Sequence, residues 1–268
     1  MEALCPYYWL KPPSRKAESG SSLTSRMRNA TLEAHTISDK LVNAKLVVAL
    51  ADRQLYAACL SRFYIIFKAV QRLIGPHLLH EPLCALVGPF RTLLASRIGA
   101  FEQDLTFFCG EDASKHARSS ESIKSVRAYV QHLESLERAD PVLLLPYAYH
   151  LTLAVLSGGQ QIKRLVQRGL GLQNAGVAVL HFDFDQVGSR TELKQSFKSA
   201  VDKVGASLTE DTLRRLESES VNVFRLNNAM VSEIGVRSRW WCLLMLLFVA
   251  AAALVGSVCE LGPSLVGL

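Results

Sequence analysis

The chain has 268 residues, 49% of them hydrophobic and 20% charged, the composition of a globular protein with room for one large domain or two small ones. Its net charge of +6 comes from scattered Lys and Arg without any RNA- or DNA-binding signature, which excludes nucleic acid as an expected partner and leaves an anionic membrane or ligand. The six cysteines form no CxxC pair and no His/Cys cluster at zinc-ligand spacing, and read as reduced thiols of a cytosol-facing protein.

Residues 1–24 hold Pro12-Pro13, a Ser/Gly cluster from Ser19 to Ser22 and mixed charges. Such a stretch cannot bury enough apolar surface to hold a fold, and it lacks the apolar core of a secretory signal; it reads as a loose tail. From there to residue 234 the pattern is helical nearly throughout. Residues 26–50 carry one apolar face, and Asp52 is placed to cap a helix over 53–74. Pro76, Pro82 and Pro89 break the next stretch into short pieces before a helix over 91–110. Two more helices are predicted over 121–139 and 149–167. Residues 171–190, rich in Gly, Asn and Asp, read as a connection with one extended piece around "VLHFDFD". The last helices of the domain are expected over 191–204 and, after a capping box from Ser207 to Glu210, over 211–234. With no strand series, no internal repeat and no Rossmann or P-loop glycine pattern, the fold class is all-α.

Residues 240–259, "WWCLLMLLFVAAAALVGSVC", run without a charge. At about 1.5 Å per residue they match the ~30 Å hydrocarbon thickness of a bilayer. Arg237 and Arg239 precede them, Trp240 and Trp241 sit at the expected interface, and nine residues follow Cys259. This pattern predicts a C-terminal transmembrane helix acting as a tail anchor, with 235–239 as a basic juxtamembrane linker, 260–268 as a short luminal tail and the helical domain in the cytosol.

Three groups of residues carry candidate chemistry. His35 and Asp39 lie one turn apart on one helix face, where a carboxylate can orient an imidazole toward a metal; on spacing alone the pair reads equally as an exposed histidine beside a helix ion pair. Arg28 is two turns before His35 on the same side. Lys194 and Lys198 form a second i, i+4 pair, suited to carboxylates at the rim of a pocket or to a solvated face. Ser157-Gly158-Gly159 sits in mid-helix, where each glycine costs roughly 0.5–1 kcal/mol relative to alanine. Three explanations stand: a helix break, a close helix crossing, or close approach to a flat ligand.

Taken together, "TLEAHTISDKL", "GAFEQDLTFFCG", "YAYHLTLAVLSGGQQIKRLVQRGL", "LKQSFK" and "VFRLNNAMV" resemble haem oxygenases, in the same order and at comparable separations. The match spans residues 25–234, and the hydrophobic tail is similar to that of the membrane-anchored animal members, nearest to invertebrate forms. The resemblance implies an all-α, haem oxygenase-like domain plus the transmembrane helix. It implies His35 as the proximal ligand of haem iron, with Asp39 hydrogen-bonded to it. Arg28, Lys194 and Lys198 match positions that hold the haem propionates. Ser157, Gly158 and Gly159 match the distal helix, whose bare backbone lets the porphyrin and dioxygen fit. Tyr64, Tyr149, Phe224 and Asn227 match positions lining the pocket or its distal polar network.

One departure stands out. Active mammalian and many bacterial members carry Gly-Asp where this chain has Ala154-Val155. That aspartate anchors the water network that delivers protons, and valine has no donor or acceptor. His150, about 140° around the helix from Val155, is a poor substitute; with the histidines at 77, 80, 116, 132 and 181 it reads as a surface or structural group. The implied function is cleavage of haem, substrate and cofactor at once, to biliverdin, carbon monoxide and ferrous iron. Dioxygen and electrons from an NADPH-dependent flavoprotein reductase would be used, with slow or less regioselective turnover. The alternative is a haem sensor, buffer or carrier on the same fold. Further implied partners are biliverdin reductase and the lipid bilayer, with the endoplasmic reticulum membrane as the expected address. Cys5-Pro6 is the dipeptide of some haem-regulatory motifs.

Overall fold

The computed structural model of the chain describes residues 21–50, 52–182 and 189–234; the remaining N-terminal residues, Cys5-Pro6 and the predicted membrane span with its flanks lie outside them. The first helix, α1 (Leu23–Ala30), begins inside the stretch that reads as tail. Its start is stabilised from a distance: the Thr24 amide and hydroxyl both donate to the Asp202 carboxylate, at 2.8 and 3.0 Å. Local sequence shows no such cap, because the acceptor is a long-range one. The apolar stretch over 26–50 divides at buried Thr31, which separates α1 from α2 (Leu32–Ala49) and returns its hydroxyl to the Met27 carbonyl at 2.9 Å.

The long helix α3 (Arg53–Ile74) is the axis of the domain. Asp52 caps it as expected, accepting from the Gln54 amide at 2.7 Å. Burial runs almost all round its second half, through Tyr64, Ile65, Ile66, Phe67, Ala69, Val70, Leu73 and Ile74, the pattern of a helix enclosed by others. Short helical turns occupy the proline-punctuated stretch from Gly75 to Ala95. They lead into α4 (Ser96–Cys109), α5 (Ala113–Glu121) and α6 (Lys124–Ala139), all of which pack on α3. The 26-residue α7 (Leu145–Leu170) ends at Gly171, whose φ of 65° supplies the left-handed cap.

Where the extended piece is expected after α7, Ala178–Leu180 form a 3-10 turn, residues 183–185 lie outside the described residues, and no strand occurs among the described residues. The last two helices are α8 (Arg190–Ala206) and α9 (Glu210–Ser232). The capping box lies at α8, between Ser189 and Glu192, whereas α9 starts on Thr209, which accepts from the Thr212 amide. Ser207, expected in that role, instead donates to the Val204 carbonyl at 2.8 Å and so closes the preceding helix. Arg26 ties α1 to α9 through Glu210 and Glu217. Helices α1, α2, α7, α8 and α9 thereby surround a space on one side of α3.

Candidate functional site

That space is a cavity of about 310 Å³ with mostly apolar walls. Helix α2 contributes His35, whose Nδ1 lies 3.1 Å from the Asp39 carboxylate one turn on. The backbone amide of His35 donates to the Thr31 carbonyl at 2.8 Å, so the start of α2 is held by the same residue that ends α1. The His35 ring packs on Phe224 of α9 at 5.4 Å. A carboxylate on one ring nitrogen orients the ring so that the other can face a metal.

Unusually for a helix with so many apolar residues, α2 buries only Ser38 and Ala49. Val42 and Leu46 stand half-exposed on the cavity wall. The helix is held by α9, along which it packs, and by contacts near its C-terminal end. Lys45 donates to the carbonyls of Ser232 and Ile234, at 2.9 and 2.8 Å, and Leu50 fills the space that a side chain at Gly169 would need. An apolar ligand in the cavity would complete the packing that the protein leaves open.

One edge of the cavity is cationic. Arg28, Lys194 and Lys198 line it together. Burial, with the like charges of Lys198, Arg28 and Arg190, pushes Lys194 down to about 8, and burial with Arg28 also lowers Lys198. Such crowding favours an anion at this edge, carboxylates above all. Tyr149 stands beside it, packed on Phe197 at 5.8 Å. Burial raises its phenol well above the ordinary tyrosine value, so it is a neutral hydroxyl.

The wall formed by α7 differs from expectation. Leu153, Ala154, Val155 and Ser157 line the cavity, whereas buried Gly158 and Gly159 do not. A Cβ at Gly159 would lie 3.3 Å from the Leu180 carbonyl oxygen and 3.8 Å from Val155 Cγ1. Gly159 therefore admits the turn Ala178–Leu180, the close-crossing alternative, and the ligand-facing surface is one turn earlier. That turn is fixed by residues the sequence pattern did not single out. Asp104, fully buried in α4, accepts from the amides of Ala178 and Val179 at 2.8 and 2.9 Å. Arg97 donates to the carbonyls of Val179 and His181 and stacks on Phe182 at 4.0 Å. The one available signal was the spacing of Arg97 and Asp104, seven residues apart and so on one side of the helix.

Tyr64 does not belong to the site. Its hydroxyl donates to Glu102 at 2.9 Å with Lys68 nearby, behind Phe101, and it opens on a separate hollow with Arg72 and Glu134. The cavity face of α3 is instead the 3.6-period stripe of Tyr56, Leu60, Phe63 and Phe67, with Cys59 beside it. Burial pushes the Cys59 thiol up to about 11, which keeps it protonated. Asn227 and Phe224 do line the cavity, and the side-chain oxygen of Asn227 is buried without a hydrogen-bond partner. Among the other histidines, His77 pairs with Glu137 and His132 with Glu219, as structural groups should. His150 is different: it lines the cavity, and its Nε2 is buried with no partner.

The heme oxygenase family model matches residues 21–233 of this chain. "Heme oxygenase 1" of Pongo abelii is 29% identical over 219 residues, covering 79% of this chain and 71% of its own length. The crystal structure of heme oxygenase 2 from Chlamydomonas reinhardtii without heme superposes with a TM-score of 0.71 at 30% identity, covering 81% of this chain and 99% of that one. Heme oxygenase-1 from Synechocystis in complex with heme shares the fold, with a TM-score of 0.72 at 20% identity over 87% of this chain and all of its own.

Replacing Asp104 with alanine removes the acceptor of two buried amides that set the cavity wall. A loss of about 3 kcal/mol is expected, since bonds to charged groups contribute about 1.5–3 kcal/mol and the orphaned amides stay buried. Urea denaturation of Asp104→Ala measures it, and an unchanged midpoint would show that the turn is held otherwise.

Proposed function

The chain belongs to the haem oxygenase family, and from that premise we propose that it binds haem in the α2/α7/α9 cavity and cleaves it to biliverdin, carbon monoxide and ferrous iron. It is a haem-degrading enzyme. The observation that carries the site assignment is the division of one cavity into three chemistries: a carboxylate-braced imidazole, apolar walls, and crowded cations along one edge. These complement an iron, a porphyrin face and two propionates respectively. Val42 and Leu46 of α2 add half-exposed apolar surface on the cavity wall.

Each residue's part follows from its chemistry. His35 offers a nitrogen to the iron while Asp39 holds its tautomer and raises its basicity. Arg28, Lys194 and Lys198 neutralise the propionates and so set the orientation of the macrocycle. Leu153, Ala154 and Phe224 exclude water from its faces. Bound haem supplies the iron chemistry that activates dioxygen, with electrons from an NADPH-dependent flavoprotein reductase. Val155 can hold no proton where the family's active members carry a carboxylate, so protons have to come through weaker donors such as the Tyr149 hydroxyl, and turnover is slow. Product passes on to biliverdin reductase. Residues 240–259 anchor the enzyme in the endoplasmic reticulum membrane, as in animal members, with the catalytic domain in the cytosol.

Stoichiometric haemin binding followed by a single turnover with reductase should give biliverdin absorbance and carbon monoxide. Binding without either product would refute the cleavage. Val155→Asp should raise the rate by about a hundredfold or more, within the ~10²–10⁴ range of general acid catalysis. Tm measured alongside shows whether the buried carboxylate has harmed the fold, and no gain in a folded variant would point to another proton source. The crowded rim predicts a pH dependence. Propionates raise Lys194 from about 8 in the empty site, so the complex holds more protons than its parts above that pH. Haemin affinity should be full below pH 8 and fall as pH climbs beyond it, and Lys194→Ala should flatten that slope; equal slopes would remove Lys194 from the rim. Deleting residues 240–268 should move the protein from the membrane to the soluble fraction on sedimentation, and a truncated protein still in the pellet would argue against the anchor.

A further inference from the structure

His150 is the one imidazole besides His35 among the described residues that lines the cavity. It shares a face of α7 with Leu153, Ala154 and Ser157, three, four and seven residues on, and that face is the cavity wall. Its Nε2 is shut off from solvent and has no hydrogen-bond partner, an arrangement that costs stability in the empty protein and calls for a partner in the loaded one. The ring is wedged between Tyr149, at 5.1 Å, and Phe224, at 5.2 Å. Phe224 carries His35 on its other contact, at 5.4 Å, so both imidazoles pack on one phenyl ring beside one cavity.

Two partners are conceivable for that nitrogen: a carboxylate of the ligand or its iron. The rim cations that mark the carboxylate edge are Arg28, Lys194 and Lys198, whereas His150 packs on the same phenyl ring as His35. Its place is therefore beside the residue assigned to the iron. A neutral imidazole carries the lone pair that a metal needs.

We propose that His150 is a second iron-capable imidazole of this site, able to ligate haem iron when His35 does not. The inference rests on the haem reading given above. It makes the chain unlike a site with a single nitrogen ligand: loss of His35 does not leave the iron to water alone. The same property would slow turnover whenever His150 holds the iron, independently of Val155.

The test uses detergent-solubilised full-length protein titrated with haemin, with the Soret position and ferric EPR as readouts and free imidazole as a probe. His35→Ala is expected to keep a nitrogen-ligated spectrum that added imidazole hardly shifts. His35→Ala/His150→Ala is expected to turn high-spin and water-ligated, and to recover the nitrogen-ligated spectrum on adding imidazole, which also shows that its pocket is intact. His35→Ala/His150→Gln, closer in shape, gives the same reading should the double alanine variant fail to fold. Identical spectra for His35→Ala and the double variant, with identical responses to imidazole, would overturn the proposal. Failure of the wild-type protein to bind haemin at all would instead remove the haem reading on which it stands.

Discussion

The structure turns on a helix that is not fully packed. Helix α2 is secured at Thr31 and at Lys45 to Leu50 and packs along α9, yet its Val42 and Leu46 border a cavity rather than a core. Burial of apolar surface is the main force in folding, so whatever fills that space adds to the stability of a helix that by itself buries only Ser38 and Ala49. His35 is carried on that helix, so occupancy of the cavity and stability of α2 should rise together.

Opposite α2, the cavity wall is built by rigid means. Asp104 and Arg97 on α4 clamp the turn at 178–182, the turn presses its Leu180 carbonyl against Gly159, and α7 is thereby fixed in depth. A half-exposed apolar face thus meets a wall of set shape. Gly159 serves that wall from behind by admitting the Leu180 carbonyl, which explains its cost to the helix.

Charge is just as unevenly distributed. Cations gather at one edge, where burial and mutual repulsion lower Lys194 and Lys198, while the far side offers Leu151, Val155, Ile162 and Phe63. Substrate orientation is consequently dictated by electrostatics at a single edge. Few polar groups remain on the rest of the wall, among them Tyr149 and Asn227, whose side-chain oxygen is buried without a partner. Val155, which has no donor or acceptor, and buried His150 make the polar groups of this wall differ from the pattern the chain resembles.

Features that depend on neighbours along the chain were legible in the sequence. Helical periodicity, the Asp52 cap, the His35–Asp39 pair and the Lys194–Lys198 pair all follow from spacings of two to four residues, and the five collinear segments carried the family. Where the governing partner is far along the chain, spacing was silent or misleading. The start of α1 depends on Asp202, the place of Gly159 depends on Leu180, and Tyr64 turned toward Glu102 because only one stripe of α3 can face the cavity. His150 reads as one histidine among several until α9 brings Phe224 and His35 beside it. Sequence alone thus determined most of the helices and which residues share a helical face, though not the break at Thr31 or the helix Ala113–Glu121. The tertiary structure decided which of those faces meet, because burial and long-range hydrogen bonds join residues that no local period can relate.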